Sequence, residues 1–269
     1  MTPPVFLTPG SHLDDVETGD VVRLSGPEGR HAVSSLRLCV GERVDLVDGV
    51  GRRAEGTLQT SIGREDADIR VDVLTVEPRP DPWFTVVQAL PKGERGELAV
   101  ELLTEIGVDV IIPWAARNCV TQWRGDRADR GLRKWNDAVR AAAKQSRRSW
   151  FPVVESLHST DQVAARVAEA SLALVLDESA DASIVNVELP EHGEILLVVG
   201  PEGGLADEER AVLSAAGART TVIGPTVLRT SSAGLAAMAA LLPRTSRWSP
   251  QAGDSPSKQS GNPTPSGEG

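Results

Sequence analysis

The chain has 269 residues, 40% of them hydrophobic and 25% charged, an ordinary globular composition that excludes collagen-like, disulfide-stapled and wholly disordered chains. A net charge of −10 argues against indiscriminate coating of nucleic acid, and the longest apolar run, eight residues at 235–242, falls well short of the roughly eighteen that a membrane span needs. Cys39 and Cys119 form neither a disulfide framework nor a metal pattern, and MTPPVFLTPG carries no secretory signal, so a reducing cytoplasm, no membrane and no metal are expected.

Residues 1–76 are rich in β signals. Branched or alternating runs at 21–24, 43–47, 54–59 and 69–76 predict strands, Asp48-Gly49 predicts a tight turn between two of them, and one helix is expected over 29–38. Together they predict a small β-barrel domain. Three prolines in residues 77–82 predict a stiff linker. From residue 83 to 246 the pattern alternates: strands at 84–90, 108–113, 172–177, 195–199 and 220–223, helices at 94–106, 127–146, 160–170, 207–216 and 231–242. Near-continuous apolar strands such as Ile195–Val199 predict a parallel α/β sheet covered on both faces. Residues 247–269 are expected to be a disordered tail, because thirteen of the last twenty-one residues are Ser, Pro or Gly and cannot bury enough surface to offset ordering.

Phosphate-loop, H-E-x-x-H and G-x-S-x-G motifs are absent. Gly49-Val50-Gly51 joins two predicted strands and reads as a hairpin. The strongest signal is Ile195–Val199 followed by Gly200-Pro201-Glu202-Gly203-Gly204 and a helix: glycines at a strand end let backbone N–H groups approach a ligand. A second strand end, Ile223-Gly224-Pro225-Thr226-Val227-Leu228-Arg229, leads into a small-residue helix with Thr230 or Ser231 as its expected N-cap. Arg229 needs a partner there, either a structural carboxylate or a reacting anion. Lys92-Gly93-Glu94-Arg95 sits at a third strand end. The window 117–148 holds ten Arg or Lys against three Asp. On its long helix Leu132, Trp135, Val139, Ala142 and Ala143 share one face and Arg133, Arg140, Lys144 and Arg147 another, either a phosphate-docking row or a solvated face.

These strings, together with His31, Leu36-Arg37, Thr104-Glu105, Gly107-Val108, Gln145-Ser146, Arg148 and Pro152, resemble the RsmE family, SPOUT-class methyltransferases of 16S ribosomal RNA. The resemblance spans residues 5–242. It implies a PUA-like RNA-binding barrel followed by a SPOUT domain with a deep trefoil knot, a homodimer, and transfer from S-adenosylmethionine to N3 of a decoding-site uridine (conventional position 1498) of 16S rRNA in the small ribosomal subunit. Cofactor contacts are expected at Leu176, Gly200, Gly203, Ile223, Leu228 and Ser231, and RNA contacts at Arg37, Lys92, Arg95, Arg140, Lys144, Arg147 and Arg148. The chain departs from the family pattern at Thr226, usually Arg; at Ser231, usually Glu; at Lys144, usually Glu; and at Ala206, usually a capping Ser.

Methylation of a uracil N3 requires loss of a weakly acidic proton, and thus a base or a cation that stabilises the anion. Arg229 suits the second role. Glu202 is the candidate base, or else orders its glycine loop. The rival functions are methylation of another nucleotide, for instance a tRNA ribose, and non-catalytic RNA binding. Gly203→Val is expected to exclude the cofactor with little loss of stability.

Overall fold

The computed structural model describes residues 2–8, 13–93 and 95–248; the expected tail from residue 249 onward lies outside them. Five strands form the first sheet: β1 (Val5–Leu7), β2 (Val21–Leu24), β3 (Arg43–Val47), β4 (Arg52–Ile62) and β5 (Asp66–Val76), in the order β1-β3-β4-β5-β2. All neighbours are antiparallel except β1 with β3. Gly49-Val50-Gly51 closes the β3–β4 hairpin, as its spacing predicts. Register shifts after Glu55 and Leu58 bend the long β4–β5 ribbon, as bulges do. Phe6, Leu24, Leu46, Leu58 and Ile69 are fully buried between this sheet and the helical turn over α1 (Gly26–Arg30) and His31–Ser35. β1 was not predicted: three residues between prolines carry too little periodicity to register.

The second sheet is parallel and has six strands. In chain order its elements are β6 (Trp83–Ala89), α2 (Arg95–Ile106), β7 (Val110–Trp114), α3 (Asp126–Gln145), β8 (Val153–Val154), α4 (Thr160–Glu169), β9 (Leu172–Leu176), β10 (Glu194–Val199), α5 (Asp207–Ala215), β11 (Arg219–Thr221) and α6 (Thr230–Leu241). The order is β11-β9-β10-β6-β7-β8. The chain therefore first builds outward from β6 through β7 and β8, then fills the other side, with β10 inserted between β6 and β9. The order reverses beside β6, and ligands of open α/β sheets sit at the strand ends around such a reversal. All six residues of β10 are buried, which explains the apolar run Ile195–Val199; the first, Glu194, is paired with Arg166 at 2.8 Å.

The two sheets meet along the end of α3. Lys144 pairs with Glu28 at 2.7 Å, and Arg53, itself paired with Asp45 of the same sheet, donates to Ser149 Oγ at 3.2 Å. Ser149 donates to Glu77 at 2.6 Å, and the Trp150 indole N–H donates to the Glu77 carbonyl at 3.1 Å. The proline-rich segment is thus fastened to both sides, with Asp81 accepting from Gly193 N–H at 2.8 Å. Residues 247–248, expected to begin the tail, instead belong to a short turn, Ser246–Trp248. Arg247 there pairs with Asp109, which also takes Arg148 at 3.6 Å. Among the described residues no helix is long and apolar enough to cross a membrane.

Candidate functional site: a strand-end cavity walled by two loops

A cavity of about 450 Å³ opens where β9, β10 and β11 end, a size suited to a cofactor-sized ligand. Its walls are the loop 200–205 and the segment 222–230. The two are clipped together: the Thr230 hydroxyl donates to the Gly200 carbonyl at 2.5 Å and accepts from the Gln88 amide at 3.2 Å. This corrects the expected cap. Arg229 occupies the N-cap position of α6 without a side-chain bond, and Thr230 is its first helical residue, its hydroxyl drawn down to the loop instead of back to the helix.

Leu176, Gly200, Gly203, Ile223 and Leu228 all line the cavity, whereas Ser231 does not: it is buried at the start of α6, and Thr230 faces the cavity in its place. A Cβ on Gly203 would meet Asn118 at 3.1 Å. Gly203→Val therefore presses on the neighbouring loop as well as on the cavity. Gly204 has φ +71°, a left-handed conformation that glycine adopts without strain. Asn118 donates to the carbonyls of Gly203 and Gly204 at 3.4 and 3.0 Å.

Electrostatics set the roles of the charged residues. Arg229 and Glu202 both border the cavity and are exposed. Arg229 has no carboxylate within 4 Å among the described residues, so the structural ion pair is not what holds it. The Glu202 carboxylate accepts from Lys92 N–H at 3.1 Å and ties the β6–α2 loop to the glycine loop. Sequence reasoning missed Asp177, Glu178 and Arg210, which also line the cavity; the signal was there, an acidic pair directly after the apolar run Leu172–Leu176. Burial by itself would raise the Asp177 carboxyl, but hydrogen bonds from Ser179 and the Arg210 guanidinium at 2.7 Å hold it below the usual range. On the far side of the loop Glu209 accepts from Arg117 N–H at 2.8 Å, Thr160 Oγ1 at 3.1 Å and Ala206 N–H at 3.2 Å. Ala206 offers no oxygen in return, so only the Glu half of a capping box is made.

The cations separate into two groups. Arg37, Lys92, Arg95 and Arg140 are exposed, Arg140 lying 3.7 Å from Asp137. Lys144, Arg147 and Arg148 are not a docking row. Lys144 is bound to Glu28, and the Arg147 guanidinium donates to the Pro3 carbonyl beside Asp45. Arg148 donates to the carbonyls of Thr104 and Val108 at 3.0 and 2.6 Å. Burial pushes its guanidinium down to about 10, with Asp109 opposing and Arg247 adding to the fall. Helical spacing puts Lys144 and Arg147 on one face but cannot show that the first sheet covers it.

Comparison with known proteins agrees with this geometry. The family model described as an RNA methyltransferase domain matches residues 78–242, and that of an RNA methyltransferase PUA domain matches residues 24–72. The "Ribosomal RNA small subunit methyltransferase E" of Mycobacterium bovis is 46% identical over 242 residues, covering 88% of this chain and 92% of its own. That of Bacillus subtilis is 30% identical, covering 84% and 91%. A methyltransferase from Legionella pneumophila, solved with bound SAM, superposes with a TM-score of 0.80 at 25% identity over 91% of this chain and 99% of its own. A small-subunit methyltransferase E from Neisseria gonorrhoeae, bound to S-adenosyl methionine, gives 0.79 at 25% identity over 91% and 98%. Fold and cavity thus define an RNA methyltransferase with an appended PUA domain. Within that class the chain belongs to the ribosomal RNA small subunit methyltransferase E family.

Proposed function

We propose that the chain methylates N3 of a decoding-region uridine in small-subunit ribosomal RNA, using S-adenosylmethionine. The observation that carries this reading is the strand-end cavity with Arg229 exposed at its edge and free of a carboxylate partner among the described residues. The cofactor fits the groups present: apolar Leu176, Ile223 and Leu228 for a purine, glycine backbone at 200 and 203, and the exposed Glu178 carboxylate for hydroxyl and cationic groups. When bound, it supplies an electrophilic methyl group on a sulfonium. The Arg229 guanidinium stabilises the uracil anion, favouring loss of the N3 proton to solvent. Glu202, already engaged by the Lys92 N–H, acts as a positioning residue that keeps the two loops in register, not as the base.

The same reading includes the finer features that the resemblance implies. The clipped passage of 222–230 alongside 200–205 supports a knotted chain, and the bent β4–β5 ribbon supports a closed barrel. Exposed Leu98, Val227 and Leu228 support a homodimer, which sedimentation would report. The work is done in the cytoplasm, on the small subunit. The deciding experiment is mass spectrometry of 16S rRNA from a strain lacking the chain. Loss of a single 3-methyluridine is expected; an unchanged modification profile overturns the reading. Calorimetric titration with S-adenosylmethionine separates an enzyme from a non-catalytic RNA binder.

A further inference from the structure

A second cavity, of about 520 Å³, lies at the ends of β6 and β7, between the start of α2 and the first half of α3. None of the cofactor-wall residues named above borders it. Two indoles form its base: Trp123 and Trp135 meet edge to face, with centroids 5.1 Å apart at 72°. Each lies on a glycine that could be nothing larger, since a Cβ on Gly131 would come within 2.3 Å of Trp123 and one on Gly96 within 2.9 Å of Trp135. Three cations, Arg127, Arg130 and Lys134, line the cavity against one carboxylate, Glu97, which pairs with Lys134 at 3.1 Å. Arg127 and Arg130 have no carboxylate within 4 Å among the described residues, although Asp126 and Asp129 flank them on α3. On a chain of net charge −10, an aromatic base with unpaired guanidinium groups is the combination that single-stranded nucleic acid uses, bases on rings and phosphates on cations.

We propose that this cavity holds a nucleotide of the single-stranded RNA next to the methylated base, with its base against Trp123 and its phosphate on Arg127 and Arg130. One loop separates it from the cofactor cavity. Asn118 bonds to the carbonyls of Gly203 and Gly204, and three residues on, Thr121 Oγ1 donates to the Pro91 carbonyl at 2.6 Å. The Lys92 N–H to Glu202 bond joins the two rims again. A strand that presents one base to the first cavity lays its neighbours across the second. The proposal rests on the reading of the chain as an RNA enzyme, and it adds an anchor that fixes the strand on the side away from β11.

The probe is a short oligouridylate added to the full chain. Its binding should quench tryptophan emission, and Trp123→Phe should remove most of that quenching. The double variant Arg127→Ala with Arg130→Ala should bind about tenfold or more weakly, with the logarithmic salt dependence flattened by about 0.7, the contribution of one phosphate on a single strand. S-adenosylmethionine affinity and melting temperature should stay as in the wild type. Unchanged oligouridylate affinity and salt slope in the double variant overturn the proposal. So does a shift of that variant from dimer to monomer with RNA binding intact, which would make the cavity a seat for a second copy. If the wild type fails to bind S-adenosylmethionine, the methyltransferase reading falls, while the oligouridylate comparison still decides the cavity.

Discussion

Arg229 and Asp177 occupy the same cavity but carry different burdens. Arg229, exposed and without a carboxylate partner among the described residues, is available to a reacting anion. Removing one such preorganised group typically costs about a hundred- to a thousandfold in kcat. Arg229→Ala should therefore fold and bind S-adenosylmethionine normally yet lose roughly that factor in single-turnover assays on small-subunit particles. Lysine should rescue only partly, since it lacks the planar fork. Wild-type turnover by the alanine variant would remove Arg229 from the mechanism. Asp177 is buried and locked to Ser179 and Arg210. Its folded-state carboxyl lies below the reference value of 3.8, so the stability it contributes is present in full above that value and disappears as the pH falls through the lower folded one. Asp177→Asn should lower the melting temperature at neutral pH, and the gap to the wild type should close only at strongly acid pH. A gap that stays constant down to the acid transition would show that the charge is not what holds the β9 end.

The glycine loop and the long helix α3 show how far sequence reaches at the level of elements. Buried strand, glycine loop and helix were legible at 195–216 because five apolar residues in a row have one use in a parallel sheet. Boundaries of β2 and β3 match for a different reason, each being flanked by turn residues such as Asp20 and Asp48. What the glycines touch was not legible. Gly203 packs on Asn118, 85 positions away, so Gly203→Val should lower the melting temperature as well as cofactor affinity, a loss that thermal denaturation without cofactor would register. The α3 cations teach the same lesson. Arginine and lysine have one spelling whether they face water or a carboxylate, and the partners Glu28, Asp45 and Asp109 come from distant segments. Arg140→Ala should accordingly reduce the salt dependence of RNA binding by about one unit or less, while Lys144→Ala should leave that slope alone and lower stability by about 1 kcal/mol. The opposite pattern would return Lys144 to the RNA-facing set.

At the scale of the whole molecule, the two sheets are joined by ionic and hydrogen-bonded contacts gathered around Arg53, Glu77, Lys144 and Ser149, beside Trp150 and Phe151 packed on Gly51 and Gly49. Severing them with Arg53→Ala and Lys144→Ala together should leave S-adenosylmethionine binding intact, because neither residue borders the cofactor cavity. On the proposed reading, the joint should nevertheless govern which RNA is methylated. A locked joint makes the molecule a calliper: one jaw is the N-terminal sheet, the other the methyl-transferring cavity, and the gap is fixed before any RNA arrives. Such an instrument rewards substrates by their folded shape, accepting an RNA whose grip point and target base are already held the right distance apart and discounting a floppy fragment with the same letters. Loosening the hinge should therefore narrow the preference for assembled small subunits over short RNA fragments, chiefly by weakening the former.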